Sequence, residues 1–162
     1  MLEDALLKII PRPRVKTRLI DRYAYASDAS HFYLVPKAVV QPITVEEIQK
    51  LFAVSQELNL PITFRAGGTS LSGQAVSDGI LADLSNYWRK VTPENNGETV
   101  RVEPGAIGAH VNIHLKKFGR KIGPDPASIN AAMMGGILSN NSSGMCCGVV
   151  NNSYHTLKHI TF

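Results

Sequence analysis

Cysteine is nearly absent: the chain has two, Cys146 and Cys147, and they are neighbours. Adjacent cysteines cannot staple distant segments, so a secreted disulfide scaffold is excluded and two reduced, buried thiols are expected. No stretch approaches the ~20 apolar residues that a membrane-spanning helix needs, so no transmembrane segment is expected. The opening "MLEDALLKII" places acidic residues where a secretory signal is basic, and Pro11 ends its short apolar run. A cytoplasmic location is the expectation. Two nucleotide-binding fingerprints are missing as well. None of the 13 glycines has a partner two positions away, which removes the G-x-G-x-x-G turn of a dinucleotide-binding Rossmann unit. Gly68 and Gly73 have the spacing that opens a Walker A loop, but Gln74 and Ala75 follow where a lysine and a hydroxyl residue would reach phosphate and magnesium.

What remains is the composition of an ordinary globular protein. With 44% hydrophobic and 19% charged residues in 162, the chain can bury the core of about one domain. A net charge of +4 suits anionic ligands, yet the basic residues are scattered apart from "PRPRVKTR" at 11–18. That cluster reads as a solvated N-terminal arm. No aromatic and basic module accompanies it, so no nucleic acid is expected as a partner.

Hydrophobic periodicity and turn residues divide the rest. "KAVVQ" (37–41) reads as a strand. After Pro42, Thr44 as N-cap and Glu47 three residues on form a capping box. Ile48, Leu51, Phe52, Ser55 and Leu58 then share one face of a helix that ends near Asn59, before Pro61. "ITFR" (62–65) and "GILAD" (79–83) read as strands flanking a glycine-rich loop. The unit is β-α-β-loop-β, with the loop at a strand's carboxyl end, where ligands sit in α/β layers. "TPENNGE" reads as a turn-rich connector. "ETVRVEPG" (98–105) is a strand, followed by a helix through Ile107, Val111, Leu115 and Phe118, and the final "YHTLKHITF" looks like the entry to another strand.

Two loops of small residues carry the candidate chemistry. In "FRAGGTSLSGQA" (64–75), consecutive N–H groups from Ala66 to Ser70 can converge on an anion, glycine lets the backbone approach, and Thr69 and Ser70 add hydroxyl donors. In "AAMMGGILSNNSSGMCCG" (131–148), Gly135 and Gly136 allow close approach at a possible helix start, where free N–H groups and the dipole favour negative charge. Ser128 offers a further hydroxyl. Either loop alone reads first as a structural turn. Two in one small chain suit a diphosphate.

In sequence order, "PKAVVQPITVEEIQKL", "ITFRAGGTSLSG", "VEPG", "PDPAS" and "GGILSNNSSG" resemble the FAD-binding domain of the p-cresol methylhydroxylase and vanillyl-alcohol oxidase superfamily. Within it, the resemblance is nearest to FAD-linked D-lactate, glycolate and D-2-hydroxyacid dehydrogenases of the glycolate oxidase D-subunit type, some fused to an iron-sulfur module. It covers residues 20–162. The resemblance implies an α+β fold, the two-lobed PCMH-type FAD-binding domain truncated before the end of its second lobe. Its parts would be an N-terminal arm at 1–34, a first FAD-binding lobe at 35–95 and the start of a second at 96–162, without a substrate cap domain. FAD would lie between the lobes, held non-covalently. Arg65, Ala66, Gly67, Gly68, Thr69, Ser70 and Gly73 would hold the diphosphate, and Gly105, Pro124 and Ser128 would line the cofactor. Met134, Gly135, Gly136, Asn140, Asn141 and Gly144 would follow the ribityl chain and flavin. Ser143 stands where the family often has glycine.

The implied reaction is oxidation of a D-2-hydroxy acid, D-lactate first and then glycolate or D-2-hydroxyglutarate, with hydride passing to flavin N5 while a base takes the hydroxyl proton. The base belongs to the cap in this family, so no catalytic residue and no turnover are expected from the chain alone. Its implied partners are FAD, the small-molecule 2-hydroxy acid, and an iron-sulfur module or other electron acceptor. A full-length enzyme could also sit peripherally on the inner membrane. Two other readings share the fold: a cofactor-free binding or regulatory fragment, and an FAD reductase of the cell-wall precursor type that uses NADPH. "PDPAS" and "YASDASHFYLVPKAVVQP" favour the hydroxyacid group over that reductase.

Other candidates have plainer readings. His110 and His114, like His155 and His159, are four apart as helical zinc ligands can be, but no H-E-x-x-H is present and no metal site is expected. Nothing marks a histidine for covalent flavin attachment. Without a C-x-x-C spacing, Cys146 and Cys147 read as packing rather than as a redox pair. Asp125, between two prolines, reads as part of a rigid turn, and Tyr87 and Trp88 as packing aromatics.

Overall fold

The computed structural model describes residues 1–162, which form two compact units, Met1–Tyr87 and Trp88–Phe162. In the first unit, β1 (Val15–Lys16), β2 (Ala38–Val40), β3 (Ile62–Arg65) and β4 (Ile80–Asp83) make a sheet in the order β1-β2-β4-β3. β2 and β4 are buried along their whole length, which is why "AVV" and "ILA" are continuous apolar runs instead of alternating ones. β2 pairs with β4, and β4 with β3, in parallel. Each parallel pair needs a crossover. The helix Val45–Leu58 leads from β2 to β3; residues 66–79 make the return from β3 to β4 with no helix at all. The glycine loop is therefore a crossover in its own right. Val40, Arg65 and Asp83 are the carboxyl ends of the three parallel strands, and Gln41 follows directly on β2.

Residues 11–18 are not a solvated arm. The first helix, α1 (Leu2–Leu7), and the turn after it place Leu6 and Ile10 in a core with Ala38, Val40, Leu51, Val54, Ile80 and Ala82. β1 then adds an antiparallel edge to β2. A short helix, α2 (Leu19–Tyr23), precedes the segment that leads into β2. In α3 (Val45–Leu58), Thr44 Oγ1 accepts the Glu47 N–H at 3.1 Å, and Asn59 ends the helix in the left-handed conformation. The other half of the capping box is redirected. Glu47 accepts the Ile43 N–H at 2.7 Å and takes a forked pair from Arg14 at 2.7 and 2.6 Å, since a guanidinium offers two parallel charged donors. The buried stripe of α3 is Leu51 and Val54. Phe52 lies off that stripe and is exposed, its ring 5.8 Å from that of Phe64.

In the second unit, β5 (Val91–Glu94) and β6 (Thr99–Val102) pair antiparallel. "TPENNGE" is thus a hairpin and not a connector, with Asn95, Asn96 and Gly97 in left-handed backbone at its turn. α4 (Gly108–Lys116) and α5 (Met134–Ser139) bury Val111, Leu115, Met134 and Ile137 with Ala106, Ile122 and Ala132. The final segment carries no strand. Asn152 accepts the His155 N–H at 2.9 Å and caps α6 (Ser153–Thr156); a local cap completes a helical turn, whereas a strand needs a neighbour. No helix is long and apolar enough to cross a membrane.

Candidate functional site

The glycine loop is built around an arginine. β3 delivers Arg65 at its last position, and Nη1 donates to Ser27 O at 2.7 Å and to Tyr25 O and Ala75 O at 3.4 Å each. The guanidinium also lies 5.6 Å from the centre of the Tyr25 ring. Gly68, with φ 62°, closes over it, and a Cβ there would come within 2.6 Å of Nη2. Gly68 O accepts the Ala29 N–H at 3.1 Å. At Gly73, φ is 73° and a Cβ would meet the Phe32 ring at 2.6 Å. The segment 25–32 is thus the floor on which the loop rests. Asp28 ties it down, accepting the Ser30 N–H at 2.8 Å and the Ala75 N–H at 3.3 Å. Burial pushes the Asp28 carboxyl up, but the hydrogen bonds from Ser30 and Ala75 and the Arg65 charge outweigh it and hold it below the ordinary carboxylate value.

Above this floor the N–H groups of Gly67, Gly68, Thr69 and Ser70 make no hydrogen bond within the unit. Consecutive unspent donors on a loop of small residues fit an anion. The Ser70 hydroxyl, expected as a further donor, is committed to the loop: it bonds Gln74 Oε1 and accepts the N–H groups of Ser72 at 3.1 Å and Gln74 at 3.4 Å.

Beside the loop lies a buried polar group that sequence reasoning missed. Asp83 is 1% exposed and accepts from Tyr25 Oη at 2.9 Å, Gln41 Nε2 at 2.8 Å and Ser85 N–H at 2.9 Å. Burial and the Asp83 charge push the Tyr25 phenol up to about 12. The available signal was an aspartate closing a fully apolar strand, which cannot be buried without partners.

In the second unit the candidate residues fall into two groups. Met134 N–H donates to Ala106 O at 2.8 Å and Gly135 N–H to Pro104 O at 2.9 Å, on either side of the buried Gly105. The helix start therefore has fewer free donors than expected. A Cβ on Gly135 would sit 2.8 Å from Pro104 Cβ, so its smallness serves packing; Gly136 faces open space. The Met134 side chain belongs to the core. The other group joins Pro124 to Asn141 and Gly144. Asp125 N–H donates to Ser143 O at 2.7 Å. Gly144, at φ 74°, packs so closely that a Cβ would drive into the Asp125 carbonyl. Asn141, at φ 48°, accepts from Ser143 Oγ at 2.8 Å and from Ser153 N–H at 3.1 Å.

Ser143 accepts the Ser153 N–H at 2.9 Å and so anchors α6. Ser128 and Asn140 are exposed, Asn140 closing α5. Cys146 is exposed, against the expectation of two buried thiols, while the buried Cys147 donates to Gly144 O and Gly148 O. Asp125 pairs with Lys121 at 3.1 Å, and His155 Nδ1 lies 2.7 Å from Val149 O.

Known proteins share both the sequence and the fold. The D-2-hydroxyglutarate dehydrogenase of Escherichia coli (strain K12) is 36% identical over 132 residues, covering 79% of this chain and 13% of that protein. The glycolate oxidase subunit GlcD of Bacillus subtilis (strain 168) is 29% identical over 127 residues, covering 76% of this chain and 27% of that one. The chain thus spans a small part of the length of these relatives. An alkyldihydroxyacetonephosphate synthase structure matches 93% of the chain and 32% of its own with a TM-score of 0.79 at 21% identity, which establishes the α+β fold independently. A family model described as FAD binding domain runs over residues 36–162, from just before β2 through both glycine-rich loops. A match of that extent, over the elements that position these loops, makes this chain a member of the FAD binding domain family, with FAD as its cofactor.

Proposed function

We propose that this chain is the FAD-holding part of a flavin-dependent oxidoreductase that acts on a D-2-hydroxy acid. The observation that carries the reading is the row of unspent N–H groups from Gly67 to Ser70, beyond the carboxyl ends of parallel strands. In this reading those groups, with the Thr69 hydroxyl, hold the FAD diphosphate, and the loop's glycines keep side chains out of its way. Gly136, Ser128, Asn140, Asn141 and Gly144 contact the rest of the cofactor non-covalently, while Gly105, Pro124 and Gly135 shape the turns beneath. Bound FAD supplies a hydride acceptor at flavin N5. The residues of this chain bind and orient; the base that takes the substrate's hydroxyl proton is assigned to a part of the enzyme outside them. A chain spanning 13% of its dehydrogenase relative is consistent with that division.

D-Lactate heads the sequence-based order of substrates, and the resemblance to a D-2-hydroxyglutarate dehydrogenase sets that dicarboxylic acid beside it. Both present the same D-2-hydroxy carboxylate. Anaerobic mixing of a full-length flavoprotein carrying this chain with D-lactate, D-2-hydroxyglutarate, glycolate or NADPH separates the readings. Loss of oxidised-flavin absorbance with a D-2-hydroxy acid, and not with NADPH, is expected. Reduction by NADPH alone overturns the proposal.

A further inference from the structure

An arginine at the head of a diphosphate loop is naturally read as a direct contact with the anion. The surroundings of Arg65 point elsewhere. Its Nη1 is shared among the carbonyls of Ser27, Tyr25 and Ala75, and its guanidinium lies near the Tyr25 ring. On the other side Gly68 presses so close that a Cβ would stand 2.6 Å from Nη2 and 2.9 Å from both Cζ and Nε. The side chain thereby joins the start of the loop, at residue 65, to its end, at residue 75. Ala75 is held at both backbone groups, its carbonyl by Arg65 and its N–H by Asp28.

We infer that Arg65 is a positioning residue: it is the internal template on which residues 66–75 are shaped, leaving the N–H groups of Gly67 to Ser70 for the ligand, and it does not itself donate to the bound anion. The inference rests on the diphosphate reading of the loop. Its chemistry differs from that of a direct contact in a way experiment can read. A guanidinium places Nη1 among the three carbonyls while its flat face fills the space under Gly68, whereas a lysine brings the same charge without that plane.

The test compares this chain with its Arg65→Lys and Arg65→Gln variants by FAD titration at two salt concentrations, and by hydrogen exchange without FAD at the amides of Ala29 and Ala75. Those two amides report on the loop through Gly68 O and Asp28. Positioning predicts that lysine fails to rescue: both variants lose FAD affinity by about tenfold or more, as for one charge-assisted hydrogen bond. Their salt dependence stays that of the parent, and both amides exchange faster. Retained affinity in Arg65→Lys, together with a weaker salt dependence in Arg65→Gln, assigns a direct charge contact and overturns the inference. Unchanged exchange at Ala29 and Ala75 in both variants overturns it as well. A Gly67→Trp variant is titrated alongside. If it binds FAD like the parent, the diphosphate reading itself fails, and the exchange data still decide whether Arg65 shapes the loop.

Discussion

Two glycines in the second unit share a left-handed backbone and differ in what surrounds them. Gly119 has φ 66° and nothing within 4 Å of a Cβ, whereas Gly144 has φ 74° and a Cβ that would collide with the Asp125 carbonyl, its carbon 2.7 Å away. Replacing either with alanine places an L-residue in the left-handed region, at a cost of about 1–2 kcal/mol. Only Gly144→Ala must also push apart the 124–126 turn and the 141–144 segment, whose closure depends on the Asp125 N–H to Ser143 O bond at 2.7 Å. Overpacking of this kind adds about 1–3 kcal/mol. At roughly 2–4 °C per kcal/mol for a chain of this size, Gly144→Ala should melt below Gly119→Ala by about 2–12 °C. Thermal unfolding followed by the fluorescence of Trp88, the single tryptophan and a member of the same unit, reads the difference. Equal midpoints for the two variants would refute the claim that Gly144 is there because the turn leaves no room for a side chain.

Three further predictions concern polar contacts. The forked Arg14 bond holds the Glu47 carboxyl below its ordinary value of 4.5, against the opposing effect of burial. Because the folded-state value is the depressed one, this stabilisation is fully present above pH 4.5 and is lost as pH falls through the lower folded value. Glu47→Ala should cost about 1–3 kcal/mol at neutral pH, by leaving the Arg14 charge without its carboxylate while Nη1 keeps the Gln41 carbonyl at 2.8 Å, and should flatten the acid limb of a stability-against-pH curve. Tyr25→Phe removes one donor from the buried Asp83 and should cost about 1–3 kcal/mol in denaturant unfolding. In the parent, the Tyr25 phenol is raised from 10.0 to about 12, so stability should decline as pH rises from 10 toward 12, and a Tyr25→Phe chain should lose that component. Ser143→Ala removes the nearer of the two acceptors of the Ser153 N–H, leaving Asn141 Oδ1 at 3.1 Å, and should lower stability by about 0.5–1 kcal/mol; a variant within error of the parent would deny Ser143 its role in anchoring α6.

The parts of the fold that were legible in the sequence are those specified by local chemistry. Thr44 and Asn59 mark the ends of α3 because a hydroxyl cap and a left-handed asparagine act within one turn; "ILAD" declares itself as a strand by apolar continuity, and "ITFR" by β-branched and aromatic residues between Pro61 and the glycine loop. α1 and β1 were hidden, because a six-residue helix and a two-residue strand are too short for a period to show. The hairpin through Asn95 to Gly97 reads as a connector in the sequence because turn residues look alike whether or not the flanking strands pair. At the site, the glycine loop was visible by composition, but its accounting of donors was not. Whether the Ser70 hydroxyl or the Gly135 N–H is free depends on Gln74 and Pro104, and a list of residue types cannot show which partner claims which group. Tyr25 and Asp83 meet across 58 residues of chain, beyond the reach of any spacing rule.

The proposed diphosphate site is the row of N–H groups from Gly67 to Ser70. Titration of this chain and its Gly67→Trp variant with FAD, following flavin fluorescence and melting temperature together, decides whether that row takes the ligand. Gly67 is exposed and outside the left-handed region, so an indole there crowds the proposed donor row without the strained backbone and the collision with Arg65 that a side chain at Gly68 would bring. Saturable binding and a concentration-dependent rise in melting temperature are expected for the parent, with both lost in the variant while its own unfolding stays cooperative. Equal FAD affinity in the two chains would contradict the proposed site.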